Sequence, residues 1–283
     1  MKSDDVVTVA GRLVDRLRSY GSVAVAFSGG VDSAVVARAA VLALGPDAVA
    51  VTAVSPSLAE EERQTAQREA AAMGIRYVEL RTGEFTRDEY RRNAGDRCFF
   101  CKDSLYALTA SRLSELGVST IANGANLDDL GDHRPGMQAA RQYQVRSPLI
   151  EESVDKATVR ALARHWNLSV AEKPASPCLA SRIAYGVEVT EERVRRVELA
   201  EAFLRELTGL TELRVRHEAA DLARIEVPLT ALPRLTEDRI RTQVVPRLEA
   251  LGFRAVTLDL AGFRSGSLNA VLPLVSLGGA SES

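Results

Sequence analysis

The six-residue string Ser28-Gly29-Gly30-Val31-Asp32-Ser33 constrains the fold of this chain more than any other feature. A short apolar run at 23–27 precedes it, and an apolar helical pattern at 33–44 follows it. A glycine turn between a strand and a helix presents backbone N–H groups and the helix dipole to an anion. Serine hydroxyls add donors, and Asp32 is a candidate ligand for the Mg²⁺ of a polyphosphate. The string therefore predicts a phosphate-binding loop rather than a plain glycine turn.

Apolar runs and helical patterns alternate along the first 122 residues. Further strands are predicted at 48–54, 76–80 and 119–122, and a helix at 105–116. Ser57-x-x-Glu60 has the spacing of a capping box, which predicts the start of a charged helix that ends near Met73. Strands that alternate with helices predict a parallel sheet with helices on both faces.

The pattern changes after residue 180. Thr190 is predicted to cap a helix that runs to 207, and a second helix is predicted at 236–251. Short strands are predicted at 213–215, 223–227 and 255–260. We therefore expect an α/β domain at 1–180 and a small α+β domain at 181–283, with a Gly/Ser-rich tail at 277–283 predicted to be disordered.

Composition and charge limit the classes of function. Of the residues, 46% are hydrophobic and 26% are charged. The 36 Lys+Arg are balanced by 38 Asp+Glu, so the chain has no excess positive charge to attract nucleic acid. Nucleic acid is therefore not expected as a partner. The charged residues within 1–20 argue against a signal peptide, and the most apolar stretch, 34–44, is too short to cross a membrane. We expect a cytoplasmic protein without a membrane partner, in which three cysteines would not form disulfides.

The loop in this context resembles that of the PP-loop ATP pyrophosphatases, which include GMP synthetase, NAD synthetase and several sulfur-inserting enzymes. The resemblance implies an adenine nucleotide α-hydrolase-like fold in which a substrate oxygen attacks the α phosphate of ATP. Pyrophosphate leaves, and a nucleophile then displaces AMP. The residues expected to hold the nucleotide are Ser28, Gly29, Gly30, Asp32, Ser33, Val54, Gly124 and Asp128. For the segment 124–129, the alternative to nucleotide binding is a simple helix start capped by Asn126.

Four further strings resemble the LarE family, sulfur transferases that help to make the nickel-pincer nucleotide cofactor of lactate racemase. They are N-x-x-x-R-C-F-F-C-K at 93–102, N-G-A-N-L-D-D-x-x-D-x-R-P-G at 123–136, K-P-A-S-P-C-L-A-S-R at 173–182 and G-F-R-S-G-S-L-N at 262–269. The resemblance implies a pyridinium nucleotide substrate whose carboxylates are adenylated and then become thiocarboxylates. It also implies a homo-oligomer, for which a hexamer is one expectation.

The cysteines determine how sulfur is supplied. In one branch of that family a single cysteine, matching Cys178, gives up its own sulfur. In the other branch three cysteines, matching Cys98, Cys101 and Cys178, hold a [4Fe-4S] cluster, and sulfide or another donor supplies the sulfur. Soft thiolates suit such clusters, so the sequence favours the second branch, and Lys102 in the same string is counted with the catalytic residues. The alternatives are inert buried thiols or a zinc site with His133, His165 or His217.

A third group of candidate residues lies in the predicted second domain. Arg214 and Arg216 alternate along a predicted strand, so both guanidinium groups face one way and suit a phosphate. The alternative is an ordinary salt-bridged surface. Ser181 and Arg182 follow Cys178 and are further candidates for the substrate phosphate. The family resemblance adds the two acids Glu201 and Glu226, near a phosphate or metal site at subunit contacts.

The predicted function is an AMP-forming sulfurtransferase that uses ATP, Mg²⁺ and a [4Fe-4S] cluster. A tRNA thiolase would also adenylate its substrate, but no basic surface or RNA-binding module is visible. An ammonia-using ligase would leave the three cysteines without a role. A nucleotide-sensing or sulfur-carrying protein would bind the same ligands without turnover.

Overall fold

A computed structural model describes residues 3–131 and 135–264 of the protein. The chain divides into two compact units, one formed by residues 1–92 and 96–179, the other by 93–95 and 180–283. The predicted disordered tail, His133, and most of the string at 262–269 lie outside the described residues. Across the described parts of the chain, no helix is both long enough and apolar enough to cross a membrane.

The first unit is built from four strands and nine helices among the described residues. The strands are β1 (Val23–Ala26), β2 (Ala48–Val54), β3 (Arg76–Arg81) and β4 (Thr120–Ala122). The helices are α1 (Ser3–Arg18), α2 (Val31–Leu44), α3 (Glu60–Met73), α4 (Asp88–Arg91), α5 (Arg97–Ala110), α6 (Leu113–Leu116), α7 (Pro135–Gln142), α8 (Pro148–Glu151) and α9 (Lys156–His165).

The four strands form one sheet in the order β3-β2-β1-β4, and all pairs are parallel. Val23 of β1 is in register with Ala48 of β2 and with Thr120 of β4. The predicted parallel sheet is thereby confirmed. The chain leaves β1 toward β2 on one side and returns to β4 on the other, and sheets of this kind bind ligands outside the carboxyl ends of the strands at that switch point.

Helices cover both faces of the sheet, as predicted. Val23 and Val25 of β1 share a core with Leu13 of α1 and Leu162 of α9. Ala24, between them, belongs instead to the core that includes Leu105 of α5. Successive strand residues point to opposite faces, so a continuously apolar strand supplies both cores.

Two predicted helix starts are wrong. The helix predicted from Ser57 begins instead at Glu60, with Ala59 at its N-cap. The Ser57 hydroxyl does not serve as the cap, because it lies 2.6 Å from the Tyr90 hydroxyl and interacts there. The helix predicted from 105 begins at Arg97. Phe99 packs against the second core, so the helix starts two turns before the periodic apolar pattern.

The second unit is a small α+β arrangement, as predicted. It contains the helices α10 (Glu191–Thr208), α11 (Leu232–Thr236) and α12 (Asp238–Ala250), and the strands β5 (Arg214–His217), β6 (Leu222–Glu226) and β7 (Ala255–Leu258). β5 and β6 pair antiparallel, while β6 and β7 pair parallel. The predicted cap is confirmed, since the Thr190 side chain accepts a hydrogen bond from the N–H of Arg193.

Candidate active site

The phosphate loop joins β1 to α2 and is held by its own serines. The Ser33 hydroxyl donates to the Gly30 carbonyl oxygen at 3.0 Å and accepts from the Ser28 N–H at 3.3 Å. Gly29 has a φ of +68°, and a Cβ there would lie 2.9 Å from the Cα of Ala66. The backbone therefore needs glycine at this position. Gly30 precedes α2 without a side-chain cap, so the first N–H groups of α2 remain available to an anion.

Asp32 lies in the first turn of α2 and is held from two sides. Its Oδ2 accepts from Lys156 Nζ at 2.6 Å, and its Oδ1 accepts from Asn126 Nδ2 at 3.0 Å. Its carboxylate is 27% exposed and so remains open to a metal ion. Sequence reasoning missed Lys156 altogether and gave Asn126 only a capping role. Asp155, the N-cap residue of α9, is a local sequence signal for a helix start, but it carries no information on where the helix lies relative to the phosphate loop.

The loop after β4 packs directly on the phosphate loop. A Cβ on Gly124 would lie 2.8 Å from the Ser33 nitrogen, so only glycine allows this approach. The Asn126 side chain accepts from the N–H of Asp128 at 3.0 Å, and Asp128 accepts from the N–H of Lys156 at 2.9 Å. The structure thus brings Gly124 and Asp128 to the switch point beside Asp32. Val54 ends the neighbouring strand β2.

The three cysteines belong to the same unit as the phosphate loop. Cys98 and Cys101 lie on α5, and Cys178 precedes a 3-10 helix that begins at Leu179. Cys98 and Cys178 are exposed, whereas Cys101 is partly buried. Burial raises the pKa of Cys101 to about 12, and the charge of Glu84 and the two other thiols act in the same direction. The charges of Cys98 and Cys178 thus both act on Cys101.

Lys102 shares this environment. Its pKa is raised, first by the charge of Tyr106 and also by the three thiols. Its ammonium charge lowers the pKa of Cys101 in return. Lys102, which follows Cys101 directly in sequence, thus places a positive charge beside the cysteine pair, which suits a site where thiolates or other anions gather.

The donor set fits an iron–sulfur cluster in its chemistry but not a single metal ion. Within residues 3–131 and 135–264, no three His, Cys, Asp or Glu side chains are placed to hold one ion. His165 lies against Trp166 and His217 is buried in the second unit, which leaves the zinc alternative without a described histidine.

A second feature that sequence reasoning missed lies beside Cys178. The N–H of Leu179 donates to the Ser57 carbonyl oxygen at 2.8 Å, and the Ser57 hydroxyl meets Tyr90. Burial raises the pKa of Tyr90, and the charge of Cys178 adds to the effect. Tyr90 is therefore linked through Ser57 to the segment that carries Cys178. The capping-box spacing identified Ser57, but it predicted a helix cap, which is the wrong role.

The second unit contains the predicted arginine group in buried ion pairs. Arg182 Nε donates to Glu201 Oε1 at 3.0 Å, and Arg216 Nη2 donates to Glu226 Oε2 at 2.9 Å. Arg216 also donates to the Ser181 carbonyl oxygen at 2.9 Å. All four charged side chains are at most 6% exposed. The structure brings these five residues together, with the four charged side chains in the interior of the unit.

Arg214 differs from its neighbours, because within the described residues no carboxylate pairs with it. Its guanidinium group lies 4.6 Å from the centre of the Phe263 ring. Burial, together with the positive charges of Arg182 and Arg216, lowers its pKa to about 10. The result is a concentration of positive charge that would favour an anion.

Comparisons with known proteins agree with this arrangement. The NAD synthase family model matches residues 6–94, which include the phosphate loop. The chain is 35% identical over 275 residues to the pyridinium-3,5-bisthiocarboxylic acid mononucleotide synthase of Lactiplantibacillus plantarum, covering 96% of this chain and 98% of that protein.

Two uncharacterised proteins are also similar. One from Synechocystis sp. is 44% identical over 248 residues, which cover 88% of this chain and 92% of that protein. One from Methanocaldococcus jannaschii is 23% identical over 241 residues, or 85% of this chain and 90% of that protein. The similarity thus extends through both units of the chain.

Proposed function

The chain belongs to the LarE family and is an ATP-using, AMP-forming enzyme, and we propose that it converts carboxylates of a pyridinium mononucleotide into thiocarboxylates for nickel-pincer cofactor synthesis. The observation that carries this proposal is the presence of the phosphate loop and three neighbouring thiols in one unit. The first feature suits activation of a carboxylate by ATP, and the second suits the handling of sulfur. The named relative, with 35% identity along 96% of the chain, supports the substrate class.

Adenylation would use the groups at the switch point. The first N–H groups of α2 and the hydroxyls of Ser28 and Ser33 would bind the β and γ phosphates, which leave as pyrophosphate. Asp32 would hold Mg²⁺, and Lys156, released from Asp32, would then face the phosphates. Preorganised donors of this kind stabilise the charge that develops as the α phosphate is attacked. Val54, Gly124 and Asp128 would surround the nucleotide.

Sulfur transfer would use the three thiols. Cys98, Cys101 and Cys178 would hold a [4Fe-4S] cluster, which when bound would supply sulfide to the adenylated carboxyl group. A C–S bond would form there as the bond to AMP breaks and AMP leaves. Lys102 would balance the negative charge that gathers there. In the second unit, Arg182, Arg214 and Arg216 would bind the substrate phosphate, for which the buried positive charge at Arg214 gives the physical basis.

The test supplies the purified chain with Mg-ATP and a pyridinium mononucleotide that bears carboxylates, under anaerobic conditions with added sulfide. We expect pyrophosphate release that depends on the carboxylate, and a product in which mass spectrometry finds sulfur in place of oxygen. A carboxamide analogue of the same nucleotide is the control. Pyrophosphate release without any carboxylate, or an amide product formed with ammonia, would contradict the proposal.

The same reaction separates the two sulfur sources. Repeated turnover with an intact Cys178 supports the cluster, and iron and sulfide analysis of the anaerobic protein should then find both elements. Loss of H₂S from Cys178 after one turnover, with Cys98 and Cys101 dispensable, would instead identify Cys178 as the donor. The mass of the protein after turnover distinguishes the two results, because it is unchanged if Cys178 is intact and lower if Cys178 has lost H₂S.

A further inference from the structure

Ser57 connects the loop after β2 to the segment that carries Cys178. Its carbonyl oxygen accepts the N–H of Leu179 at 2.8 Å, and that N–H is two covalent bonds from the Cα of Cys178. Its hydroxyl lies 2.6 Å from the Tyr90 hydroxyl. Ser57 is 4% exposed and Tyr90 is 1% exposed, so water cannot readily replace either contact. One residue thus holds two segments that are far apart in sequence.

The loop around Ser57 is itself ordered by hydrogen bonds. The N–H of Ser57 donates to the Ser55 hydroxyl at 3.3 Å, and the N–H of Leu58 donates to the Ser55 carbonyl oxygen at 3.0 Å. The turn starts directly after Val54, where β2 ends at the nucleotide edge of the sheet. The position of Ser57 is therefore fixed relative to that edge.

Tyr90 completes the connection from α4. Its ring packs on Phe85 with 5.1 Å between the ring centres. Tyr90 is 1% exposed and its hydroxyl lies 2.6 Å from the Ser57 hydroxyl, so this contact joins α4 to the loop after β2.

We propose that Tyr90 and Ser57 are positioning residues for sulfur transfer, which hold Cys178 at a fixed place relative to the nucleotide edge of the sheet. The inference rests on the proposed function for its chemistry and on these contacts for its geometry. An adenylate formed at the strand ends must meet sulfur from the thiol site, and a displacement of about 1 Å in such a pair can cost about 10²-fold in rate. Adenylation itself uses groups of the phosphate loop and does not need this connection.

The test replaces Tyr90 by phenylalanine, which removes the hydroxyl and keeps the ring. We expect thiocarboxylate formation to fall by about 10-fold or more, with KM for the nucleotide substrate unchanged, because positioning acts on kcat. Pyrophosphate release should stay near the wild-type rate. Alkylation of Cys178 by iodoacetamide in the full chain, measured before any cluster is bound, should become faster, while Cys98 serves as the internal reference.

Tyr20→Phe is the matched control. Tyr20 is also buried, in the first unit, and its hydroxyl donates to Glu151 at 2.9 Å, without a connection to Cys178. Its loss should lower stability to a similar degree and leave the alkylation of Cys178 and the ratio of thiocarboxylate to pyrophosphate unchanged. An equal change in both variants would mean a general loss of stability and would overturn the proposal.

Ser57→Ala provides the second variant if Tyr90→Phe folds poorly, since the carbonyl oxygen of residue 57 is kept. The two hydroxyls act through each other, so the double variant should be no worse than either single variant. Additive losses, or wild-type alkylation of Cys178 in both single variants, would overturn the proposal. If the wild-type chain releases pyrophosphate but forms no thiocarboxylate, the proposed function fails, while the alkylation comparison still decides the positioning role.

Discussion

At the scale of single residues, the contacts of Asp32 define the phosphate loop most clearly. Its two carboxylate oxygens are engaged by Lys156 and Asn126, which are 124 and 94 residues away in sequence. Pairings over such separations leave no local periodicity to detect. Sequence reasoning could identify Asp32 from the loop string, but could not identify the two residues that hold it.

Asp32→Ala should lower the rate of carboxylate-dependent pyrophosphate release by about 10²–10³, because a preorganised charge at the reacting phosphates is lost. The carboxylate is partly exposed, so the thermal unfolding temperature should change little. Asp47→Ala, at an exposed position before β2, is the matched control. Pyrophosphate release at the wild-type rate in Asp32→Ala would remove Asp32 from the reaction.

At the scale of the elements, most strands followed from the sequence because apolar runs bounded by turn residues identify buried strands. The predicted run at 48–54 is β2 without change. Helix starts were harder, because they depend on tertiary contacts. Ser57 has the local chemistry of a cap, yet its hydroxyl bonds Tyr90, 33 residues away. Phe99 extends α5 toward its amino end because it packs on a core that the local pattern does not show.

The alanine at the N-cap of α3 gives a prediction about stability. Ala59 has the extended ψ of 140° that suits an N-cap, but an alanine side chain cannot accept a hydrogen bond from the first N–H groups of the helix. Ala59→Ser should stabilise the protein by about 1 kcal/mol and raise the unfolding temperature by about 2–4 °C. Ala72→Ser, at an exposed site in the last turn of α3, should not. Equal shifts in differential scanning calorimetry would show that capping is not the cause.

At the scale of the whole molecule, the candidate residues fall into two groups in two units. The phosphate loop and the three cysteines lie in the first unit, and the arginine group lies in the second. The sequence could predict the first group from its loop and cysteine strings, and the arginine group from the alternation of Arg214 and Arg216 along a predicted strand. It could not show that Arg182 and Arg216 are buried and paired while Arg214 has no carboxylate partner among the described residues, because that difference arises from packing within the second unit.

Arg214 therefore offers a way to separate substrate binding from folding. Arg216→Gln would weaken the pairing of the buried Glu226 and so destabilise the unit, whereas Arg214→Gln leaves no buried carboxylate without its partner. Arg214→Gln should raise KM for the pyridinium nucleotide by about 10–100-fold, since a hydrogen bond to a charged group contributes about 1.5–3 kcal/mol.

KM for ATP should stay unchanged in Arg214→Gln, because the phosphate loop belongs to the other unit. Arg239→Gln, which removes an exposed arginine of the second unit, is the control and should alter neither constant. The measurement is pyrophosphate release with each substrate varied in turn, together with the unfolding temperature of each variant. An equal rise in KM for ATP and for the nucleotide would place Arg214 in a general structural role rather than at the substrate phosphate.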